Sequence, residues 1–313
     1  MLTKVSPGIE TITGRKNLLI NGNFDVWQRG NGPFPIATTG IYTADRFFAA
    51  RSISIGSYTV TQVTGDMGKY AIKLQRDQGD TDTDFLSLTY ALETNDCIPL
   101  RGKNLVAKVR LKKGADFIAS NDLRVTLSQT SADDLTFVRA SHGSIVGSDP
   151  DFIVSSDGVI PTTDFVDYEV NLGLIASTTN TITFRIGWNP SAAAGAAGVD
   201  DSITVDRVQL EVGNASTNFE DSSYADTLEL CQRYYQTTDD VTMSVRDPDD
   251  GLDLVWSQLR VVNMRITPTE SYSISAGKTN NNPNPTANRI QIKVKATSLS
   301  QRSVMGYTAD AEI

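Results

Sequence analysis

Histidine occurs once, at His142 in Ser141-His142-Gly143, so a His-dependent triad or a His-rich metal site has a single candidate at most. A surface-loop histidine is the plain reading. Carboxylates are abundant and often adjacent, as at Asp133-Asp134, Asp200-Asp201, Asp239-Asp240 and Asp249-Asp250. Glycoside hydrolysis, however, needs two carboxyl groups set across a cleft, roughly 5 to 10 Å apart. Adjacency does not supply that, because neighbours on a strand point to opposite faces and those in turns are solvated. Asp80, Asp82 and Asp84 alternate as in a calcium loop, yet the glycine of that loop is missing and Ala91 stands where its bidentate Glu belongs. No catalytic residue is assigned, and the chain is expected not to be an enzyme.

Binding is the chemistry that remains. Sugar recognition stacks an exposed aromatic ring on the pyranose face and fixes the hydroxyls with polar groups in a largely preformed cleft. Trp27, Tyr58, Tyr90 and Trp188 are the candidate glycan platforms. A place in the core is the competing reading for two of them: Trp188 ends an alternating row, and Trp27 follows Leu19 and Phe24.

Charge narrows the partners further. The net charge of −9 and pI near 4.7 argue against nucleic acid, whose affinity comes largely from Lys and Arg displacing condensed counterions. No apolar run is long enough to span a bilayer, and Met1 to Thr13 do not read as a signal peptide, so no membrane insertion or secretion is expected. Cys97 and Cys231 fall in different parts of the chain. Two free buried thiols are expected, consistent with synthesis in a reducing cytoplasm.

The elements that must position these residues are mostly strands. At 313 residues, with 39% hydrophobic and 21% charged, the chain can bury packed cores in two domains. Period-two rows recur at Tyr70, Ile72 and Leu74; at Leu105, Ala107, Val109 and Leu111; and at Leu123, Val125 and Leu127. Further rows are Val166, Tyr168, Val170 and Leu172, and Ile182, Phe184, Ile186 and Trp188. Each puts bulky residues on one face of a half-buried strand. Turn-rich segments separate them, which is the pattern of an all-β sandwich or jelly roll.

Two rows change parity, between Ile55 and Tyr58 and between Val205 and Val208, and a β-bulge at each accounts for the change. Past Asp226 the pattern turns helical through Leu228, Cys231 and Tyr235, with Asp226 and Glu229 at capping-box spacing. Strand candidates follow around Leu254–Val262, Tyr272–Ser275 and Arg289–Val294. The expected organisation is an N-terminal β-sandwich over 16–222 and a small, mainly-β domain with one short helix over 223–313.

The stretch Lys16-Asn17-Leu18-Leu19-Ile20-Asn21-Gly22-Asn23-Phe24-Asp25-Val26-Trp27-Gln28-Arg29-Gly30, followed by Tyr42-Thr43-Ala44-Asp45-Arg46-Phe47, resembles the opening of a domain found in bacteriophage tail-fibre and appendage proteins. Val205 to Gly213 and Asn218-Phe219-Glu220 are similar to its closing strand and exit, leading into Leu230-Cys231-Gln232-Arg233-Tyr234-Tyr235. Met264 to Thr269 and Tyr307 to Ile313 are similar to the last segment of those proteins. Residues 1–15, with Leu2-Thr3-Lys4-Val5-Ser6, resemble a virion-attachment peptide.

The resemblance implies an N-terminal jelly roll akin to carbohydrate-binding modules and a C-terminal domain that trimerises. It departs from the pattern at Phe47, where Trp is expected, so no aromatic ligand platform is assigned there. It also implies a structural calcium with oxygens from Asn23, Asp25 and Asp206, and no other cofactor. The competing reading is that these three cap turns and pair with Arg29, Arg46 or Arg207.

In the C-terminal domain, Leu228, Tyr234, Tyr235, Trp256 and Tyr307 exceed what one helix and a few strands cover, and they are the candidate trimer interface. The implied function is a virion appendage, a tail fibre or receptor-binding subunit. It would hold host surface polysaccharide without catalysis and dock on other virion proteins through its N-terminal peptide. The alternatives are a head fibre or capsid decoration protein, and a glycan-depolymerising tailspike.

Overall fold

The computed structural model describes residues 15–36, 40–51, 56–83, 85–119, 123–133, 153–191, 195–244, 253–259, 264, 269–274, 279–280, 289–295 and 302–312. Side chains are described throughout these, except at 153–157, 238–244, 253–259, 269–274, 279–280, 289–295 and 302–307. The implied attachment peptide lies outside them up to residue 14, as does His142.

The chain divides into two compact units between Ser222 and Ser223. In the first unit the described residues form twelve strands, and the alternating rows lie among them. One six-stranded sheet runs β1 (Phe34–Pro35), β4 (Tyr58–Thr64), β5 (Tyr70–Arg76), β12 (Ser202–Val212), β7 (Asn104–Lys113), β10 (Val166–Leu174). The other runs β2 (Ile41–Tyr42), β3 (Phe48–Arg51), β6 (Leu86–Leu92), β11 (Thr181–Trp188), β8 (Leu123–Thr130), β9 (Ile153–Val159). Every pairing is antiparallel. This is a β-sandwich of the jelly-roll kind.

The core sits where the two apolar faces meet. Ile72, Leu74, Val109, Leu111, Val205 and Leu210 come from the first sheet, and Leu88, Val125, Leu127, Phe184 and Ile186 from the second, all essentially inaccessible. At roughly 25 cal/mol per Å² of apolar surface, fully burying each such side chain contributes about 1.5–3 kcal/mol before chain entropy is counted. The change of parity before Val208 is a bulge, since the register of β12 against β7 shifts between Val205 and Arg207. The other parity change involves Ile53 and Ile55, which lie outside the described residues.

The second unit spans Ser223–Glu312. Its helix is Tyr224–Gln232, capped by Ser223, whose hydroxyl accepts from the Asp226 N–H at 3.1 Å. The helix therefore begins earlier than the Asp226–Glu229 spacing implied, because Ser223 with Asp226 supplies the capping pair instead. Tyr235 lies beyond the helix and opens β13 (Tyr235–Ser244). That strand joins β18 (Arg302–Asp310) and β15 (Thr269–Ile274) in one sheet. A second sheet orders β14 (Asp253–Leu259), β17 (Arg289–Lys295) and β16 (Thr279–Asn280). Cys97 and Cys231 are buried thiols that form no disulfide, one in each unit.

Candidate glycan-binding face

The residues of the opening motif are occupied in closing the sandwich. The Asn17 amide bridges the last strand, donating to Val208 O at 2.9 Å while its oxygen accepts from Leu210 N at 3.0 Å. The Glu220 carboxylate accepts the backbone N–H groups of Lys16 (3.0 Å) and Asn17 (2.6 Å). Leu18 N donates to Leu210 O, and Val208 N to Gly22 O. At Gly22 any Cβ would strike the Val208 carbonyl, so only glycine fits this approach. Asn21 is buried with φ +61° and ties Val26 to Asp45 through its amide. These polar groups satisfy buried backbone and leave nothing for a ligand.

The calcium set behaves in the same way. Asp206 is inaccessible, and its two oxygens accept the N–H groups of Asp66 (2.7 Å) and Met67 (3.1 Å), so it caps that turn. Asn23 donates to Asp25 at 2.6 Å, leaving one buried oxygen unpartnered on each. Burial holds the Asp25 carboxyl above its ordinary range, opposed by the positive charges of Arg207 and Lys69. Calcium takes six to eight oxygens. Two orphan oxygens beside two cations do not fit it, and no cluster of three His, Cys, Asp or Glu side chains occurs among the described residues. The turn-capping reading of Asp206 is the one the geometry supports.

The four aromatic platforms also need correction. Trp27 is 9% exposed, and Tyr58, Tyr90 and Trp188 are each 1% exposed, so none offers an open ring face for a sugar. Trp27 donates to Phe24 O at 2.6 Å, Tyr90 accepts from Ile20 N at 3.0 Å, and Trp188 meets Phe117 edge to face at 5.4 Å. They pack the core because their rows point inward. Phe47 is in the core as well, between Phe24 and Tyr90.

Its neighbour Phe48 takes the opposite face of the sheet. Cross-strand register places Tyr42 opposite Phe48, Phe48 opposite Thr89, Thr89 opposite Arg185, and Arg185 opposite Thr126. Directly paired residues share a face, so these five form one row across β2, β3, β6, β11 and β8 on the side away from the core. Tyr42 and Phe48 are half-buried and meet edge to face at 5.0 Å, with the Arg29 guanidinium 4.9 Å from the Tyr42 ring centre. Ser87 flanks the row, its hydroxyl 3.4 Å from that of Thr89. Two half-buried aromatic rings therefore stand beside the Arg29 guanidinium, a ring-and-donor pairing of the kind that sugar recognition uses, while Ser87, Thr89 and Arg185 further along the sheet are at most 6% exposed.

Arg185 is the unusual member. It is 6% exposed, its Nε has no hydrogen-bond partner, and its Cζ lies 5.8 Å from the centre of the Phe85 ring. Phe85 lies against Gly187, where a Cβ would strike the ring. Burial alone pushes the guanidinium down to about 10, so it stays cationic at neutral pH. Among the described residues no carboxylate forms an ion pair with it.

On the other sheet's outer face there is a pocket of about 470 Å³, lined by Lys73, Lys112, Lys113, Asp200 and several hydroxyls. Lys73 there is neutralised by Asp200 at 2.9 Å, and Lys112 lies over the Phe165 ring. The described lining includes no aromatic side chain.

Solved structures that resemble the chain include carbohydrate-binding modules and a phage tailspike domain. The module TmCBM61, solved with β-1,4-galactotriose, aligns with 64% of this chain and 100% of its own at 12% identity and TM-score 0.33. The enzymatically active domain of bacteriophage CBA120 tailspike protein 4 aligns with 63% of this chain and 21% of its own, at 12% identity and TM-score 0.35. The C-terminal family 22 module of Clostridium thermocellum Xyn10B covers 59% of this chain and 100% of its own, at 12% identity and TM-score 0.33. No family model and no curated relative matches the sequence. Likeness at this level carries no ligand over to the present chain.

Of the trimer candidates, Tyr234 is 1% exposed within its own chain and so is not available to a neighbouring subunit. Its carbonyl accepts from Ala311 N at 2.6 Å, which fixes it in the second unit. Leu228 and Tyr235 are half-buried. Trp256 and Tyr307 lie in β14 and β18, and their side chains are outside the described residues.

Proposed function

We propose that the protein is a non-catalytic adhesive subunit of a bacteriophage appendage, and that it holds a host surface glycan at the outer side of β2 and β3. The observation that carries the reading is the half-buried Tyr42–Phe48 ring pair on the outer side of β2 and β3, with the Arg29 guanidinium over the Tyr42 ring. The jelly-roll fold supports it, and so do the appendage-like opening and closing motifs. Assembly into a homotrimer through Leu228, Tyr235, Trp256 and Tyr307 belongs to the same reading. So does docking on other virion proteins through residues 1–15. Single sugar sites bind weakly, and joining three copies raises avidity roughly 100-fold to 10,000-fold without new contacts.

The test is a bacterial glycan array probed with the full chain and with Phe48→Ala. Binding that falls about tenfold in the variant supports the site, since an aromatic contact is worth up to about 1.5 kcal/mol beyond area burial. Absence of binding to every bacterial glycan overturns the adhesive reading. Immuno-electron microscopy of particles separates tail from head, and light scattering reports whether the mass is that of three chains.

A further inference from the structure

We infer that the pocket on the outer face of the first sheet binds a phosphate monoester carried by a sugar, at a place separate from the Tyr42 and Phe48 rings. The pocket opens to solvent and holds about 470 Å³, the size class of small-ligand sites. Cross-strand register builds its floor: Lys73 stands opposite Thr204, and Thr204 opposite Lys112, on β5, β12 and β7. Lys73, Lys112 and Lys113 are half-buried, while Thr64 and Thr163 are exposed, so solvent already reaches the space that these residues line. The backbone fixes the walls. Lys113 N donates to Thr162 O and Gly114 N to Ser202 O, both at 2.8 Å, which ties the end of β7 to the chain on either side. At Gly114 a Cβ would strike the Asp200 carbonyl, so a larger residue would push that wall aside.

Charge decides what enters. Elsewhere on this face the cations are paired, Lys108 and Arg110 with Asp167 at 3.4 and 2.7 Å, and Arg207 with Asp221 at 2.6 Å. In the pocket one carboxylate serves three lysines. Asp200 takes Lys73 at 2.9 Å and also accepts from the Ser202 hydroxyl at 2.8 Å and from Ala115 N at 3.2 Å, so its oxygens are engaged. Lys112 Nζ lies 4.7 Å from the centre of the Phe165 ring, and neither Lys112 nor Lys113 has a carboxylate partner among the described residues. Three ammonium groups against one carboxylate leave two positive charges, in a chain whose net charge is −9. A phosphate monoester carries about −1.5 to −2 at neutral pH, on oxygens that accept from ammonium and hydroxyl donors alike. Lysine meets phosphate as a point charge, whereas a planar carboxylate is better matched by the arginine fork, which the lining lacks. The volume beyond the phosphate is room for the sugar that carries it. A continuous polyanion is disfavoured, because the net charge of the chain repels it outside the pocket.

The experiment is titration calorimetry of the full chain with hexose phosphates of glucose, galactose and mannose, with the parent hexoses, and with inorganic phosphate. Expected is binding of at least one hexose phosphate about tenfold or more tighter than its parent hexose, the worth of one hydrogen bond to a charged group. A similar loss is expected in the double variant Lys112→Gln, Lys113→Gln, whereas Lys108→Gln and Phe48→Ala should bind as the wild type does. Thermal melts check that the variants remain folded. Equal binding of a hexose and its phosphate, undiminished binding by the double variant, or no binding of any hexose phosphate at millimolar concentration overturns the inference. An equal loss in Lys108→Gln overturns it too, since general attraction to the face would then account for the affinity. Inorganic phosphate held as tightly as the best hexose phosphate overturns the sugar source and leaves free phosphate as the ligand. None of these outcomes bears on the glycan array with Phe48→Ala, because the two sites lie on different sheets.

Discussion

Arg76 and Arg185 are both buried charges on neighbouring sheets of one sandwich, yet the fold treats them differently. Arg76 closes β5 on the core-facing row and is held on several sides, by Asp201, by Asp80 and by the Gly195 carbonyl at 3.1 Å. Burial lifts the Asp201 carboxyl, and the pairing with Arg76 works against that lift. The interaction is completed within the chain. Arg185 sits in the middle of β11 on the outer face, touched by one aromatic ring. A buried charge that the fold itself compensates is structure. One that it leaves uncompensated is a debit against stability.

The comparison breaks most readily at Arg76. Arg76→Ala leaves Asp201 buried beside an empty space, and loss of one partner of a buried pair destabilises by about 3–5 kcal/mol. Urea melts should show it as a fall in midpoint at unchanged slope. A loss under about 1 kcal/mol would mean that Arg76 is no more committed to the fold than Arg185.

At Arg185 the sign should reverse. Arg185→Met removes the desolvation of a charge and keeps most of the side-chain volume. Stability is therefore expected to be unchanged or to rise by about 1 kcal/mol, in line with neutral to stabilising replacement of buried charges by apolar residues. A fall of 2 kcal/mol or more in the same melts would show that the guanidinium is compensated by the chain after all.

The smallest effect sharpens the contrast from the side of an anion. Burial raises Asp25 above its ordinary 3.8. Between that value and the raised one the folded state binds more protons than the unfolded state, so stability falls as pH rises through the window and is greatest below it. Asp25→Asn removes the dependence. The variant should gain on the wild type between pH 4 and pH 7, and an unchanged difference across that range would show that Asp25 ionises freely in the fold.

Much of the fold was legible because it rests on period-two alternation. The rows around Ile72, Val109, Val125 and Phe184 lie in strands with the expected residues inward. The bulge before Val208 announced itself as a change of parity. The helix start was misplaced because Asp226 and Ser223 both look like caps, and only the hydrogen bond from Asp226 N to Ser223 Oγ decides between them. Tyr235 kept helical spacing from Cys231 by coincidence, being the first residue of a strand.

The site was much less legible. Large aromatics in clear strand rows attract attention, but such rows are what places Tyr58, Tyr90 and Trp188 in the core. Phe48 and Tyr42 lie in strands of four and two residues, too short to show a period. Arg185 occupies an outward position of Thr181–Trp188, where a charged residue is ordinary and solvated. Only the register that sets it beside Thr89 and Thr126, and its burial, set it apart. The motif residues Asn17, Asn21, Gly22 and Glu220 were legible as a pattern but not as a role, since their partners lie far along the chain.

The bonds from Glu220 to the backbone of Lys16 and Asn17 have a topological consequence. The chain enters and leaves the sandwich at one point, with some two hundred residues of sequence between the bonded ends. The unit is thus nearly a closed ring. Such a ring can be opened elsewhere, for instance at the exposed Ser177–Thr178 turn between β10 and β11, once its natural ends are joined by a short linker. It can equally be set into a surface loop of another protein as an insertion that adds almost no distance between the two sides of the loop. A module with that property is portable: where it sits along a longer polypeptide is independent of how its two sheets are made.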